Sequence, residues 1–233
     1  MSELTMPNSP APQGETGSSQ HGNQDYGLIQ GIGIILVFAV LFIGAGLAAG
    51  KYFVWNSFDK SSKLERDFKS NLENVQADPN NPLYHVQLGW SYFLKKDNEQ
   101  AVGEYTKALS LDPKSYAAKY DLGLAYLQLK QYDNAAASLN DAISIVPKAF
   151  PPHLNLAIAY INLEKYDDAL KELSNAYMSN PGSPETMYWR GVVYEKKGKN
   201  ELAFQQYEAA INFDPGFKDA QAAYERVKKN LKK

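Results

Sequence analysis

Three histidines (His21, His85 and His153) and one acidic cluster (Glu164, Asp167 and Asp168) are the residues whose types could do chemistry in this chain. Imidazoles and carboxylates can ligate a metal or move protons, but only if they converge on one point. The chain has no cysteine, which removes disulfides, thiolate metal sites and a lipidated cysteine anchor. It contains no nucleophile–base pattern, phosphate-binding glycine loop or dinucleotide fingerprint. No catalytic residue, metal site or cofactor is therefore expected, and the function has to come from a surface.

The elements that would carry such a surface are written as a 34-residue period. Small residues recur at Gly89, Gly123, Ala157 and Gly191, and tyrosines at Tyr92, Tyr126, Tyr160 and Tyr194. Alanines recur at Ala101, Ala135, Ala169 and Ala203, and again at Ala108, Ala142, Ala176 and Ala210. Pro113, Pro147, Pro181 and Pro215 close the units. A fixed period of this length marks stacked helix pairs, because one pair cannot bury its own apolar face. In the first unit the pattern predicts a helix near Leu83–Lys95, a turn at Lys96–Asn98, and a second helix near Glu99–Leu111. The small columns let helix axes approach to about 8–10 Å. Tyr105, Leu139, Leu173 and Tyr207 fill the space between the helices. Each closing proline is expected to end the second helix, having no N–H and clashing with the preceding turn. His85 and His153 fall in one column two units apart. At about 10 Å per neighbouring helix they lie roughly 20 Å from each other, too far to share a metal.

The motifs Leu88-Gly89-x-x-Tyr92, Leu122-Gly123-x-x-Tyr126 and Leu156-Ala157-x-x-Tyr160, with the alanine and proline columns, resemble the tetratricopeptide repeat (TPR) family. The fourth unit departs, with Arg190 before Gly191. The family tryptophan column holds His85, Lys119, His153 and Met187. The resemblance implies an all-α helical solenoid of four repeats over 82–217, divided as 82–115, 116–149, 150–183 and 184–217. It places Glu164, Asp167 and Asp168 in a solvated turn between helices. It implies a concave groove lined by the first helices, at unit positions 2, 5, 6, 9 and 13. The groove residues expected on this basis are Gln87, Trp90, Tyr120, Asp121, Asn155, Ile158, Tyr188 and Trp189. An amide and carboxylate row beside an apolar and aromatic row suits an extended or helical peptide. Some family members grip a terminal carboxylate with basic residues. Val86, Trp90, Asp121 and Trp189 stand at comparable places here, so that clamp is missing.

The flanks extend the array. Leu64, Phe68, Leu72 and Val75, followed by Asp78-Pro79, read as a half-repeat helix. Segment 218–233 reads as a capping helix, with Ala220, Ala223, Tyr224, Val227 and Leu231 on one stripe and Lys218, Arg226, Lys228, Lys229 and Lys232 opposite. Residues 1–25 have the polar composition of a disordered tail.

Residues 26–50 carry no charge, and Leu28–Gly50 would span roughly 34 Å as a helix, enough for one transmembrane pass. Residues 51–81 then form a juxtamembrane linker and helix, opening with the interfacial residues Tyr52, Phe53 and Trp55. A cleaved signal peptide is the alternative. It needs a basic leading region and a shorter apolar core, whereas no Lys or Arg precedes Lys51. Gly46-Leu47-Ala48 has the small residues of a cleavage site and keeps that alternative open. Gly27/Gly31 and Gly46/Gly50 are spaced for a weak transmembrane dimer. Acidic residues precede the span, while Lys51, Lys60, Lys63, Arg66 and Lys69 follow it, which places the repeats in the cytoplasm.

Setting aside the three tail carboxylates leaves 24 basic against 23 acidic residues, which is no nucleic-acid footprint. The sequence therefore points to a non-catalytic, membrane-anchored TPR adaptor for a protein or peptide partner. Two alternatives share the same solenoid. One is an assembly factor for a membrane or envelope complex (cytochrome maturation, secretion or pilus type) with its repeats outside the cytoplasm. The other is a regulatory subunit of an enzyme complex.

Overall fold

Among the described residues ten helices follow one another: α1 (62–77), α2 (Pro82–Leu94), α3 (Asn98–Leu111), α4 (Tyr116–Gln128), α5 (Tyr132–Ile145), α6 (Phe150–Asn162), α7 (Tyr166–Ser179), α8 (Pro184–Lys196), α9 (Asn200–Phe213) and α10 (Lys218–Leu231). They are seen in a computed structural model that describes residues 62–231. The expected tail, the transmembrane helix with its glycine pairs and dimer, and the first part of the juxtamembrane segment lie outside the described residues. Among the described residues no helix is long and apolar enough to cross a membrane.

The helices pack as the pairs α2–α3, α4–α5, α6–α7 and α8–α9, and each pair packs on the next. Helix α2 begins one residue before its predicted start. Asn81 caps it by accepting the Leu83 N–H at 3.0 Å, and Pro82 takes the first helical position, where a missing N–H leaves no bond unmade. Ser115 and Ser183 cap α4 and α8 in the same way.

The periodic columns form the core. All eight column alanines are fully buried, as are Tyr105, Leu139, Leu173 and Tyr207. The small column exists because these large side chains lie directly on it. A Cβ on Gly89 would sit 2.7 Å from Tyr105 Cε1, one on Gly123 2.6 Å from Leu139 Cγ, and one on Gly191 2.5 Å from Tyr207 Cε1.

Three details depart from the sequence reading. The closing prolines act one step later than a helix-breaking clash would. Helix α3 stops at Leu111, and Asp112 adopts extended backbone (φ −131°, ψ 91°) while its N–H still bonds Ala108 O. Pro113 thus ends the helix by steric restriction of the residue before it. Asp167 and Asp168 are not in the turn but in the first turn of α7, where carboxylates suit the helix N-terminus; Glu164 does lie in the turn, at φ 58°. Leu231, expected on the buried stripe of α10, is 38% exposed, because that helix buries only Ala220, Ala223 and Val227 against the array.

The histidine column is structural. His85 Nε2 donates to the carbonyl of Pro79 at 2.9 Å, and Nδ1 meets Glu104 Oε2 at 2.6 Å. His153 repeats this geometry on Pro147 (2.9 Å) and Glu172 (2.6 Å). Each buried ring ties the loop before its unit to the second helix of that unit. Among the described residues no group of His, Asp and Glu is arranged to hold a metal.

Candidate functional site: the first-helix face

Helices α2, α4, α6 and α8 touch one another in succession, which brings the first helix of every repeat to one side of the array. The eight expected groove residues lie on these four helices. The structure divides them into three groups.

Gln87, Trp90 and Asp121 come together. They line one cavity of about 470 Å³ between α1, α2 and α4. Trp90 is 41% exposed and stacks on Phe93 at 5.2 Å, so its ring is held in a fixed plane while its outer face stays open. Burial alone pushes the Asp121 carboxyl up to about 6. Among the described residues Asp121 makes no hydrogen bond or ion pair.

Tyr120 and Asn155 pair with each other in the middle of the face. Asn155 Nδ2 donates to Tyr120 Oη at 3.1 Å and to the Pro151 carbonyl at 2.9 Å. The amide hydrogens are thereby occupied, and Oδ1 is the atom left for a partner. Burial raises the Tyr120 hydroxyl, with the neighbouring Tyr116 and Asp121 adding to it. Ile158 is half-buried on α6.

Tyr188 and Trp189 are built into the packing of the last repeat. Trp189 packs against the cluster of Ala157, Ile161 and Val193. Tyr188 meets Trp189 at 5.3 Å, Tyr207 at 5.8 Å and Phe217 at 5.2 Å. Tyr188 also lines a second cavity, of about 340 Å³, with Val192, Glu195, Lys196 and Arg226.

Sequence columns did not find the contribution of α1. Leu64, Asp67, Ser70 and Asn71 complete the first cavity. The helix itself was legible from its apolar spacing, but it lies outside the full repeats, so no column marks its groove face. Asn71 Nδ2 donates to Ser91 Oγ at 2.8 Å and to Gln87 O at 3.3 Å, which locks the wall. Phe68 meets Tyr92 edge-on at 5.1 Å, and Lys95 lies 4.3 Å over the Phe68 ring while pairing with Glu65 at 2.8 Å. Also unmarked in sequence is the network of Tyr207, Glu195 and Arg226 at the other end.

Stacked helix pairs that bring their first helices to one side define a helical-repeat protein. The chain belongs to the tetratricopeptide repeat family, whose model matches residues 76–150 and 154–217. It is thus a TPR protein-interaction scaffold. Among solved structures, residues 41 to the end of MamA from Desulfovibrio magneticus RS-1 are 20% identical, with a TM-score of 0.64 over 68% of this chain and 89% of that one. YrrB, described as a TPR protein with an unusual peptide-binding site, is 22% identical with a TM-score of 0.63 over 73% of this chain and 88% of that one. TTC0263, a thermophilic TPR protein of Thermus thermophilus, is 19% identical with a TM-score of 0.58 over 73% and 93%. At these identities the likeness is one of fold. No curated protein matches the chain.

Proposed function

We propose that this protein is a membrane-anchored adaptor that holds a protein or peptide partner on its first-helix face and does no chemistry of its own. The observation that carries the reading is the convergence of Gln87, Trp90 and Asp121, from two different repeats, on one open cavity. A fixed aromatic ring beside amide and carboxylate groups offers both an anchor pocket and backbone hydrogen bonding. A peptide-binding site in the similarly folded YrrB is consistent with this use of the scaffold. The anchor is the uncharged segment 26–50, and the basic residues from Lys51 to Lys69 favour repeats on the cytoplasmic side.

The test is a crosslinking pulldown from membranes bearing the full-length chain, against a variant with Gln87→Ala and Trp90→Ala. The variant should keep its helicity and lose the partner. Unchanged capture would place binding elsewhere, on the second helices or α10. Protease added to intact cells should spare the repeats. Their digestion, with cytoplasmic markers protected, would reverse the orientation and favour an assembly factor working outside the cytoplasm.

A further inference from the structure

The two ends of the first-helix face treat their acidic groups differently. Tyr207 and Tyr105 occupy the same column three periods apart, and both are fully buried. At the C-terminal end Tyr207 Oη donates to Glu195 Oε2 at 2.8 Å, and Arg226 of α10 donates to Glu195 through Nε at 3.0 Å and Nη2 at 2.8 Å. The hydroxyl, the carboxylate and the cation satisfy one another, and the guanidinium holds Glu195 below the ordinary carboxylate range. The chain supplies its own cation there.

At the N-terminal end the positions three periods before Glu195 and Arg226 are Phe93 and Leu124. Among the described residues Tyr105 Oη is buried without a hydrogen-bond partner. The charge of Asp121 acts on that hydroxyl, adding to the burial that raises it. Among the described residues the Asp121 carboxylate has no partner either, and Asp67 of α1 adds a second carboxylate to the same cavity. Among the described residues no Lys, Arg or His lines this cavity; the rest of the described wall is apolar or neutral, with Trp90 and Leu94 the large exposed surfaces. A half-buried carboxylate without a counter-ion is unfavourable in the free protein, and a cation brought by a ligand would remove that cost.

Resting on the groove reading above, we infer that the N-terminal cavity receives the side chain of a lysine or arginine from an extended partner segment. The aliphatic stem lies along Leu94 and the open face of Trp90. The charged head reaches Asp121 and Asp67, and Gln87 is placed to bond the backbone of the segment. The polarity is opposite to that of a carboxylate-gripping clamp. An acidic side chain in the same place would be repelled.

The probes are end-blocked fluorescent peptides with arginine, lysine, citrulline or glutamate at the centre between two leucines, titrated by anisotropy into the full chain in nanodiscs. Citrulline keeps the shape of arginine and loses its charge. The arginine and lysine peptides should bind about tenfold more tightly than the citrulline peptide, the size expected for a close charge pair. Asp121→Asn should narrow that gap, and adding Asp67→Asn should abolish what remains. The preference should also weaken as pH falls through about 6, where Asp121 takes up its proton. That dependence should vanish in Asp121→Asn. The other titratable groups around Asp121 are Asp67 on α1, Tyr105 on α3, and Tyr116 and Tyr120 on α4. The tyrosines are raised away from this range.

Equal binding of the arginine and citrulline peptides would overturn the inference and leave the groove reading standing, provided Gln87→Ala with Trp90→Ala still weakens both. Absence of binding by every peptide would also overturn it, while the partner pulldown judges the groove separately. Self-association of the full chain that Asp121→Asn dissolves would reassign the cavity to the basic end of a second copy, Arg226 to Lys233, and overturn the partner-segment assignment.

Discussion

Burial, with no counter-ion among the described residues, makes Asp121 a destabilising residue in the unliganded protein, and the effect has a definite pH dependence. Its carboxyl titrates near 3.8 when exposed and near 6 in the fold. Between those values the folded chain holds a proton that the unfolded chain has released, so stability falls as pH rises through that window. Above it the ionised group disfavours the native state. Asp121→Asn removes the charge and keeps the shape. At neutral pH the change should stabilise the repeats by about 1 kcal/mol, discounting the shift for partial exposure. The gain should shrink toward zero near pH 4. Thermal melts of the two proteins across that range check this, and a variant that melts lower at neutral pH would show Asp121 to be satisfied within the fold. A substitution that adds stability and removes binding is the pattern expected of a functional group. At this scale the sequence was informative where columns exist: Gln87, Trp90 and Asp121 follow from unit positions. It could not show that the amide of Asn155 is spent on Tyr120 and Pro151, since that depends on helix approach. Nor could it show Asp67, which belongs to a helix with no copies to compare.

The inter-helix turn is the element that recurs most faithfully. In each repeat the column tyrosine carbonyl accepts a bond from the second residue past the helix cap: Asp97 to Tyr92 (3.0 Å), Gln131 to Tyr126 (2.9 Å), Lys165 to Tyr160 (2.9 Å) and Lys199 to Tyr194 (2.8 Å). The residue between takes left-handed backbone, as a Schellman ending requires. It is Lys96 at φ 66°, Lys130 at 58°, Glu164 at 58°, and glycine only at Gly198, at 71°. A side chain in that region is strained and glycine is not. Glu164→Gly should therefore stabilise the third repeat by up to about 1 kcal/mol, and Gly198→Ala should destabilise the fourth by about 1 kcal/mol. Urea midpoints followed by far-ultraviolet circular dichroism would report both. A loss of stability in Glu164→Gly would mean the turn is held by side-chain contacts and not by backbone geometry. The helices themselves were legible because the period fixes their faces. Their ends were off by about one residue because Asn81 and Pro82 form a cap that periodicity does not encode. The left-handed turn was hidden because three of its four residues are Lys or Glu, types that do not announce it.

Across the whole array, stability is a chain of nearest-neighbour interfaces, and these are unequal. The junction of α7 with α8 is thinner than those of α3 with α4 and α5 with α6. What holds the fourth repeat to the third is a small apolar group in which Trp189, Val192 and Val193 of α8 pack against Ala157, Ile161, Ala169 and Leu173. Trp189 was read from its column as a groove residue, and its packing gives it a second role at this junction. If the junction depends on that ring, the fourth repeat and α10 should be the region that opens first, by a local rather than a global route. Trp189→Ala should weaken the interface by about 2 kcal/mol, less than a fully buried tryptophan would cost. Hydrogen exchange in the variant should then show α8, α9 and α10 losing protection well before α2 to α5. Urea unfolding should broaden into two steps. The separation is possible because Tyr207, Val227 and Ala223 form a core of their own in the last repeat, so the C-terminal block retains packing after it uncouples. If Trp189→Ala unfolds in one step with uniform exchange, the ring contributes to the partner surface and not to the junction, and cooperativity across the third and fourth repeats must rest on the valines alone.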